Sequence, residues 1–192
     1  MAHRFDIRKA QLLDSPDRRR FLDPDHILGM LGLEKDMVFV DLGCGTGYFS
    51  IPASGMVRKV YAVDVQQEML DVLNTRIKKE NAGNIQSVLS DGKSVPLEDG
   101  SADIVFMANV FHELDDKYCM LAEVKRVITE HGKLVIIDWN KVEMDMGPPV
   151  SERLSPEEVI NICRKNGFVP DVNTEAGPYN YMLVFSVMAD NS

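Results

Sequence analysis

The stretch "VFVDLGCGTGYFS", Val38 to Ser50, decides the fold: an apolar run ends at an aspartate and passes into glycines at 43, 45 and 47. A short, near-continuously apolar run suits a strand buried on both faces of a parallel sheet. Three glycines behind it let the backbone turn sharply and approach a ligand, and the helix expected next offers unpaired N–H groups and the positive end of its dipole. The dinucleotide fingerprint G-x-G-x-x-G places its third glycine where this chain has Tyr48. The spacing therefore favours a nucleoside ligand over a dinucleotide pyrophosphate, with an NAD-dependent oxidoreductase as the alternative.

Working outward, similar runs recur as "KVYAVD" (59–64), "IQSVLS" (85–90), "ADIVFM" (102–107) and "KLVIID" (133–138). Helical patterns lie between them; in "QQEMLDVLNTRIKKEN" Met69, Leu70, Leu73 and Ile77 share one face. Buried strands alternating with helices predict an α/β fold, a doubly wound, Rossmann-like, seven-stranded and mostly parallel sheet. The tail departs from that rhythm. A helix over 156–166 opens on Ser155, Pro156 and Glu158, a capping box, and closes at Gly167. Two strands joined at Gly177-Pro178 follow, antiparallel because the connection is short, and Pro170 places the first at the sheet edge. Ahead of the core, "DSPDRRRFL" and "DPDHILGMLG" read as helices capped by Ser15 and Asp23, the second ending at Gly32. The expected organisation is one domain over 1–192: an N-terminal helical cap (1–34) and a core (35–192) interrupted by a long loop over 140–155.

Of the 192 residues 45% are apolar and 27% charged, the composition of a globular domain. The net charge of -9 argues against nucleic acid as a partner. Residues 1–22 hold six Lys/Arg against three acids, and a solvated helical face accounts for them. Cys44, Cys119 and Cys163 are too far apart for a disulfide framework or a metal site, so buried reduced thiols are expected and no metal. No run is long and apolar enough for a membrane span or signal peptide, which suggests a cytoplasmic protein.

The run Asp41-Leu42-Gly43-Cys44-Gly45-Thr46-Gly47 resembles motif I of class I S-adenosylmethionine-dependent methyltransferases. The likeness continues in order through "VYAVD", "SDGKSVPLEDGSADIVFMANVFHEL" (90–114), "GKLVIID" and the terminal antiparallel pair, and is nearest to the small-molecule, type 11 branch. It implies S-adenosyl-L-methionine as methyl donor. The cofactor-binding residues it implies are Asp41, Gly43, Cys44, Gly45, Gly47, Asp64, Val65, Asp91, Gly92, Met107 and Asn109. Asp64 would grip the ribose diol, for which a carboxylate is chemically apt, and Asp91 would meet the adenine amino group. Asp41 would bind the loop N–H groups or the methionyl ammonium. Helix capping is the competing role for Asp64, and a solvated turn the one for Asp91.

Methyl transfer from a sulfonium chiefly needs alignment and exclusion of water, with a base only where the acceptor loses a proton. His112, beyond the fourth strand, is the candidate catalytic base, with packing against the next helix as the competing role. The Asn/Asp-Pro-Pro-Tyr/Phe signature of amino-methylating relatives is replaced by "ANVF", so a small-molecule acceptor is expected rather than nucleic acid. Tyr48 and Trp139 are expected to pack, while Arg153 and "MGPP" could belong to a lid. A non-catalytic module binding the adenosyl cofactor is the remaining alternative.

Overall fold

The computed structural model describes residues 15–188. Seven strands form one sheet: β1 (Val38–Leu42), β2 (Lys59–Asp64), β3 (Ile85–Leu89), β4 (Ala102–Ala108), β5 (Ile128–Trp139), β6 (Phe168–Glu175) and β7 (Asn180–Val187). Their order is β3-β2-β1-β4-β5-β7-β6. β1 to β5 pair in parallel, and β7 runs antiparallel to both β5 and β6. The winding reverses between β1 and β4, so a crevice opens beyond their carboxyl ends, where such sheets bind ligands.

Alternation along the strands assigns side chains to two cores. Val40, Leu42, Val63, Val105, Met107, Leu134, Ile136 and Leu183 face α5 (Lys117–Val127) and α6 (Pro156–Lys165). Phe39, Val60, Ala62, Ile104, Phe106, Val135 and Ile137 face the other layer: α1 (Pro16–Phe21), α2 (Pro24–Gly29), α3 (Ser50–Ser54) and α4 (Gln67–Glu80). Phe106 packs between Phe39 and Phe49 at ring separations of 5.4 and 4.8 Å. Such pairs contribute about 1 kcal/mol each beyond their buried area. No helix among the described residues is long and apolar enough to cross a membrane.

The predicted caps are present. Ser15 caps α1, Asp23 caps α2, and Ser155 and Glu158 form the full capping box on α6. β6 pairs only with β7, so Pro170 lies on the edge strand, next to a register shift. Three expectations need correction. α2 stops at Gly29 rather than Gly32, which instead takes φ +62° in the turn that follows. β5 begins at Ile128 rather than 133: α5 feeds straight into it through "ITEHG", whose polar residues hide a strand that pairs irregularly at its start. Cys119 is exposed; only Cys44 and Cys163 are buried.

Candidate active site

Motif I folds as expected for a loop that must leave its strand without side chains in the way. Gly43, at φ +79°, sits so close to Val110 that a Cβ would lie 2.4 Å from its Cγ2. Gly47, at φ +85°, packs against α4, where a Cβ would meet Leu73 Cδ1 at 2.4 Å. Close helix–strand approach, the task of the third dinucleotide glycine, is thus met one residue before Tyr48. Tyr48 does something else. Its hydroxyl donates to Leu22 O at 2.8 Å, and the Arg18 guanidinium lies 4.2 Å over its ring, tying the loop to the N-terminal helices.

The loop is braced from several directions. Val63 O accepts from the Gly43 and Cys44 N–H groups at 2.8 and 3.0 Å, and Arg76 of α4 donates to Thr46 O at 3.0 Å. Asp64 accepts from Gly45 N–H at 2.8 Å and from Gln66 N–H at 2.9 Å. The bracing expected of Asp41 therefore belongs to Asp64, which also takes the cap-like bond to Gln66. Asp41 is 3% exposed and accepts instead from the Ser50 hydroxyl. Burial, and then the nearby Asp64 charge, push its carboxyl up to about 7 against the pull of the Ser50 hydrogen bond. The Cys44 side chain is buried in the second core, where burial raises its thiol pKa, so only its backbone belongs to the loop surface.

At the ends of β2 and β3, Gly92 takes φ +80° and a Cβ there would lie 3.4 Å from Val65 Cγ1, so these two predicted positions meet. Asp91 is exposed, and its Oδ1 accepts from Lys93 N, Ser94 N and Ser94 Oγ. Those bonds lower its pKa. This is the geometry of a solvated turn. Met107 is wholly buried in the first core, so its side chain packs inside the sheet while Asn109, two residues on, reaches the edge.

Beyond β4 and β5 the site is made of side-chain pairs. His112 Nδ1 lies 2.7 Å from Asp138 Oδ1, and His112 N–H donates to Asp138 Oδ2 at 3.0 Å. Both side chains are buried, at 5% and 1% exposure. Burial alone would lower the His112 pKa, but the hydrogen bond and charge of Asp138, with Glu113, leave it above the usual histidine value. Asn109 adopts φ +60°, unusual for a residue with a side chain, and its Oδ1 accepts from Asn180 Nδ2 at 2.8 Å. Trp139 is half-buried and packs under Gly147, where a Cβ would lie 2.8 Å from its ring.

Arg153 is not a free lid residue. It is 3% exposed, and its guanidinium donates to the carbonyls of Asn140, Val142, Met146 and Pro148 at 2.7–3.2 Å. The 140–155 loop is thereby wound around one cation. From the opposite side, Phe21 of α1 meets Tyr179 edge-on at 5.5 Å, and Phe21 O presses on Gly177. α1 thus reaches from the glycine loop to the β6–β7 turn.

Asp138, Arg76, Ser50 and Asn180 carry no motif signal. Asp138 alone had a sequence cue: it closes the apolar run "LVIID" as Asp64 closes "VYAVD".

A glycine cradle beside two buried carboxylates suits a cationic nucleoside better than a pyrophosphate, whose charge those carboxylates would repel. A methyltransferase-domain family profile matches residues 40–136. The chain belongs to the class I S-adenosylmethionine-dependent methyltransferases, type 11 branch. The crystal structure of an S-adenosylmethionine-dependent methyltransferase from Aquifex aeolicus is 35% identical, with a TM-score of 0.92, covering 96% of this chain and 100% of that one. A demethylmenaquinone methyltransferase of Lactococcus lactis is 30% identical over 102 residues, 52% of this chain and 40% of that protein. A malonyl-[acyl-carrier protein] O-methyltransferase of Hamiltonella defensa is 31% identical over 150 residues, 71% of this chain and 55% of that protein. The chain spans about 40% of the length of the first curated relatives it matches. S-adenosylmethionine is thus the cofactor of this methyltransferase, and the dinucleotide reading is set aside.

Proposed function

We propose that this methyltransferase acts on a small-molecule acceptor that carries a proton on its attacking atom, and that His112 removes that proton. The observation that carries the reading is the His112–Asp138 pair at the carboxyl ends of β4 and β5. A carboxylate on Nδ1 fixes the ring in the tautomer whose Nε2 is the acceptor and stabilises the imidazolium formed. S-adenosylmethionine supplies a methyl group on a sulfonium, already an activated leaving group. As the acceptor's O–H, N–H or C–H proton passes to Nε2, its electron pair takes the methyl, the C–S bond breaks, and neutral S-adenosylhomocysteine remains. The positive charge moves from sulfur to the imidazole.

The donor site is assigned to the glycine loop residues Gly43, Cys44, Gly45 and Gly47, with Asp64 on the ribose and Val65, Asp91 and Gly92 around the adenine. Asp41 and Asn109 border the methionyl end, and Met107 acts only as packing behind it. The acidic net charge supports a small acceptor over nucleic acid, as does the cover that α1 and the 140–155 loop give this edge. The two named relatives act on different acceptors, so neither supplies the substrate of this enzyme.

The test is incubation with methyl-labelled donor and a fractionated extract: label should enter the small-molecule fraction, and label confined to protein or nucleic acid would overturn the reading. His112→Gln should lower kcat by ~10²–10⁴ while S-adenosylhomocysteine binding stays within about twofold. Because Asp138 holds the His112 pKa above its usual 6.5, wild-type kcat/KM should rise with pH through that raised value as the imidazole loses its proton. A flat profile would remove His112 as the base.

A further inference from the structure

Among the described residues, two buried side-chain oxygens have no hydrogen-bond partner, Thr46 Oγ1 and Asn180 Oδ1. An orphaned buried acceptor has lost its bonds to water without replacing them and destabilises the fold. Asn180 is fully buried, and its Nδ2 is spent on Asn109 Oδ1 at 2.8 Å. Asn109 itself stands at φ +60°, in the left-handed region that asparagine tolerates better than other residues with a side chain. A buried orphan held against a left-handed asparagine needs an explanation, because packing alone would be served by apolar residues.

The place of the pair in the fold supplies one. Asn109 directly follows β4 at the switch point, and the next residue, Val110, packs on Gly43 of the donor loop. Asn180 opens β7 opposite Trp139, one register step from the Tyr181–Asp138 pair that leads to His112. Just before it, the β6–β7 turn carries the α1 contact through Tyr179. β4 and β5 separate β7 from β1, so Asn180 meets the methionyl end of the donor site only through Asn109, from the acceptor side of the edge.

We propose that the Asn109–Asn180 pair is the acceptor-recognition element of this enzyme, with Asn180 Oδ1 taking a hydrogen bond from an O–H or N–H group of the methyl acceptor. The inference rests on the small-molecule reading above and narrows it. The acceptor therefore carries a hydrogen-bond donor besides the group that loses its proton to His112. A ligand with only apolar or carbonyl groups facing Asn180 would leave the orphan in place and be rejected, since a buried unpaired polar group discriminates more strongly than a missing methylene.

The experiment uses the full chain, methyl-labelled donor and the ultrafiltered small-molecule fraction of a cell extract, titrated by dilution to give a half-saturating amount. Asn180→Leu, similar in shape but without the amide, should raise that amount by about tenfold. Its plateau rate and its S-adenosylhomocysteine affinity by calorimetry should stay within about twofold of wild type. Asn180→Ala, which makes smaller demands on packing, serves as the second variant if leucine is not accommodated. An unchanged half-saturation with a folded variant overturns the proposal alone, as does a parallel loss of S-adenosylhomocysteine affinity, which would place Asn180 on the donor. No label in this fraction with the wild-type enzyme overturns the small-molecule reading, and this inference with it.

Discussion

The two halves of the sheet's carboxyl edge are built by different means. Around β1, β2 and β3 the site is backbone: glycines at positive φ, N–H groups held by Val63 O, and a carboxylate, Asp64, fixed by two further backbone donors. Around β4, β5 and β7 it is side-chain pairs brought together from far apart: His112 with Asp138 across 26 positions, Asn109 with Asn180 across 71. The first half suits a ligand that never changes, because backbone shape tolerates little variation. The second, read as the acceptor side, is where enzymes of one fold can differ, because its chemistry rests on a few side-chain pairs rather than on the course of the backbone.

If that contrast holds, the largest single effect belongs to the backbone half. Gly43→Ala must place a Cβ 2.4 Å from Val110 Cγ2 while holding φ near +79°. Left-handed strain and overpacking together should cost about 3 kcal/mol of stability. S-adenosylhomocysteine binding should fall with it, read by urea unfolding and calorimetry. A variant as stable and as tight-binding as wild type would show that the loop is not the rigid element it is taken to be here.

This difference in construction also explains what could be read from the chain alone. The glycine loop, Asp64 and the strand order are encoded locally, in apolar runs and turn residues whose spacing has a physical meaning. The antiparallel tail was equally legible, because a short Gly177-Pro178 connection allows nothing else. Asn180 was not, and Asp138 showed only its place at the end of a strand, since the meaning of both lies in partners distant along the chain. Arg153 was visible as a candidate lid residue, but its partners were not: nothing local says that four carbonyls of the loop turn inward to hold it.

Arg153 supplies the next test, on the side-chain half. Replacing it with methionine keeps the apolar stem and removes the cation that organises the 140–155 loop. Loss of several charge-assisted bonds, partly replaced by water as the loop opens, should cost about 2 kcal/mol. The effect should be local. Proteolysis within 140–152 should accelerate, the acceptor half-saturation should rise, and S-adenosylhomocysteine affinity should not move. A global loss of stability with an intact protease-resistant loop would contradict the division between the halves.

The smallest expected effect sharpens the comparison most, because it separates two carboxylates that end adjacent strands. Asp64 is held by backbone donors from Gly45 and Gln66, whereas Asp41 is held by Ser50, through its hydroxyl and its backbone N–H, and is buried beside the Asp64 charge. Its pKa is raised from 3.8 to about 7 on folding. The folded state therefore binds more protons than the unfolded chain between those values, and stability falls as pH rises from about 4 to about 7. Above pH 7 the folded protein carries the full cost of an ionised, buried Asp41. Asp41→Asn keeps a partner for the Ser50 hydroxyl and removes that cost, so it should stabilise the protein by about 1–2 kcal/mol at pH 8 and by little at pH 4. Thermal unfolding at the two pH values reads this directly. If the gain is accompanied by weaker S-adenosylhomocysteine binding, the buried charge is kept for the ligand at the expense of the fold. A gain that is equal at both pH values would mean that Asp41 does not change its protonation on folding, and would return the carboxylate to a purely structural role in the loop.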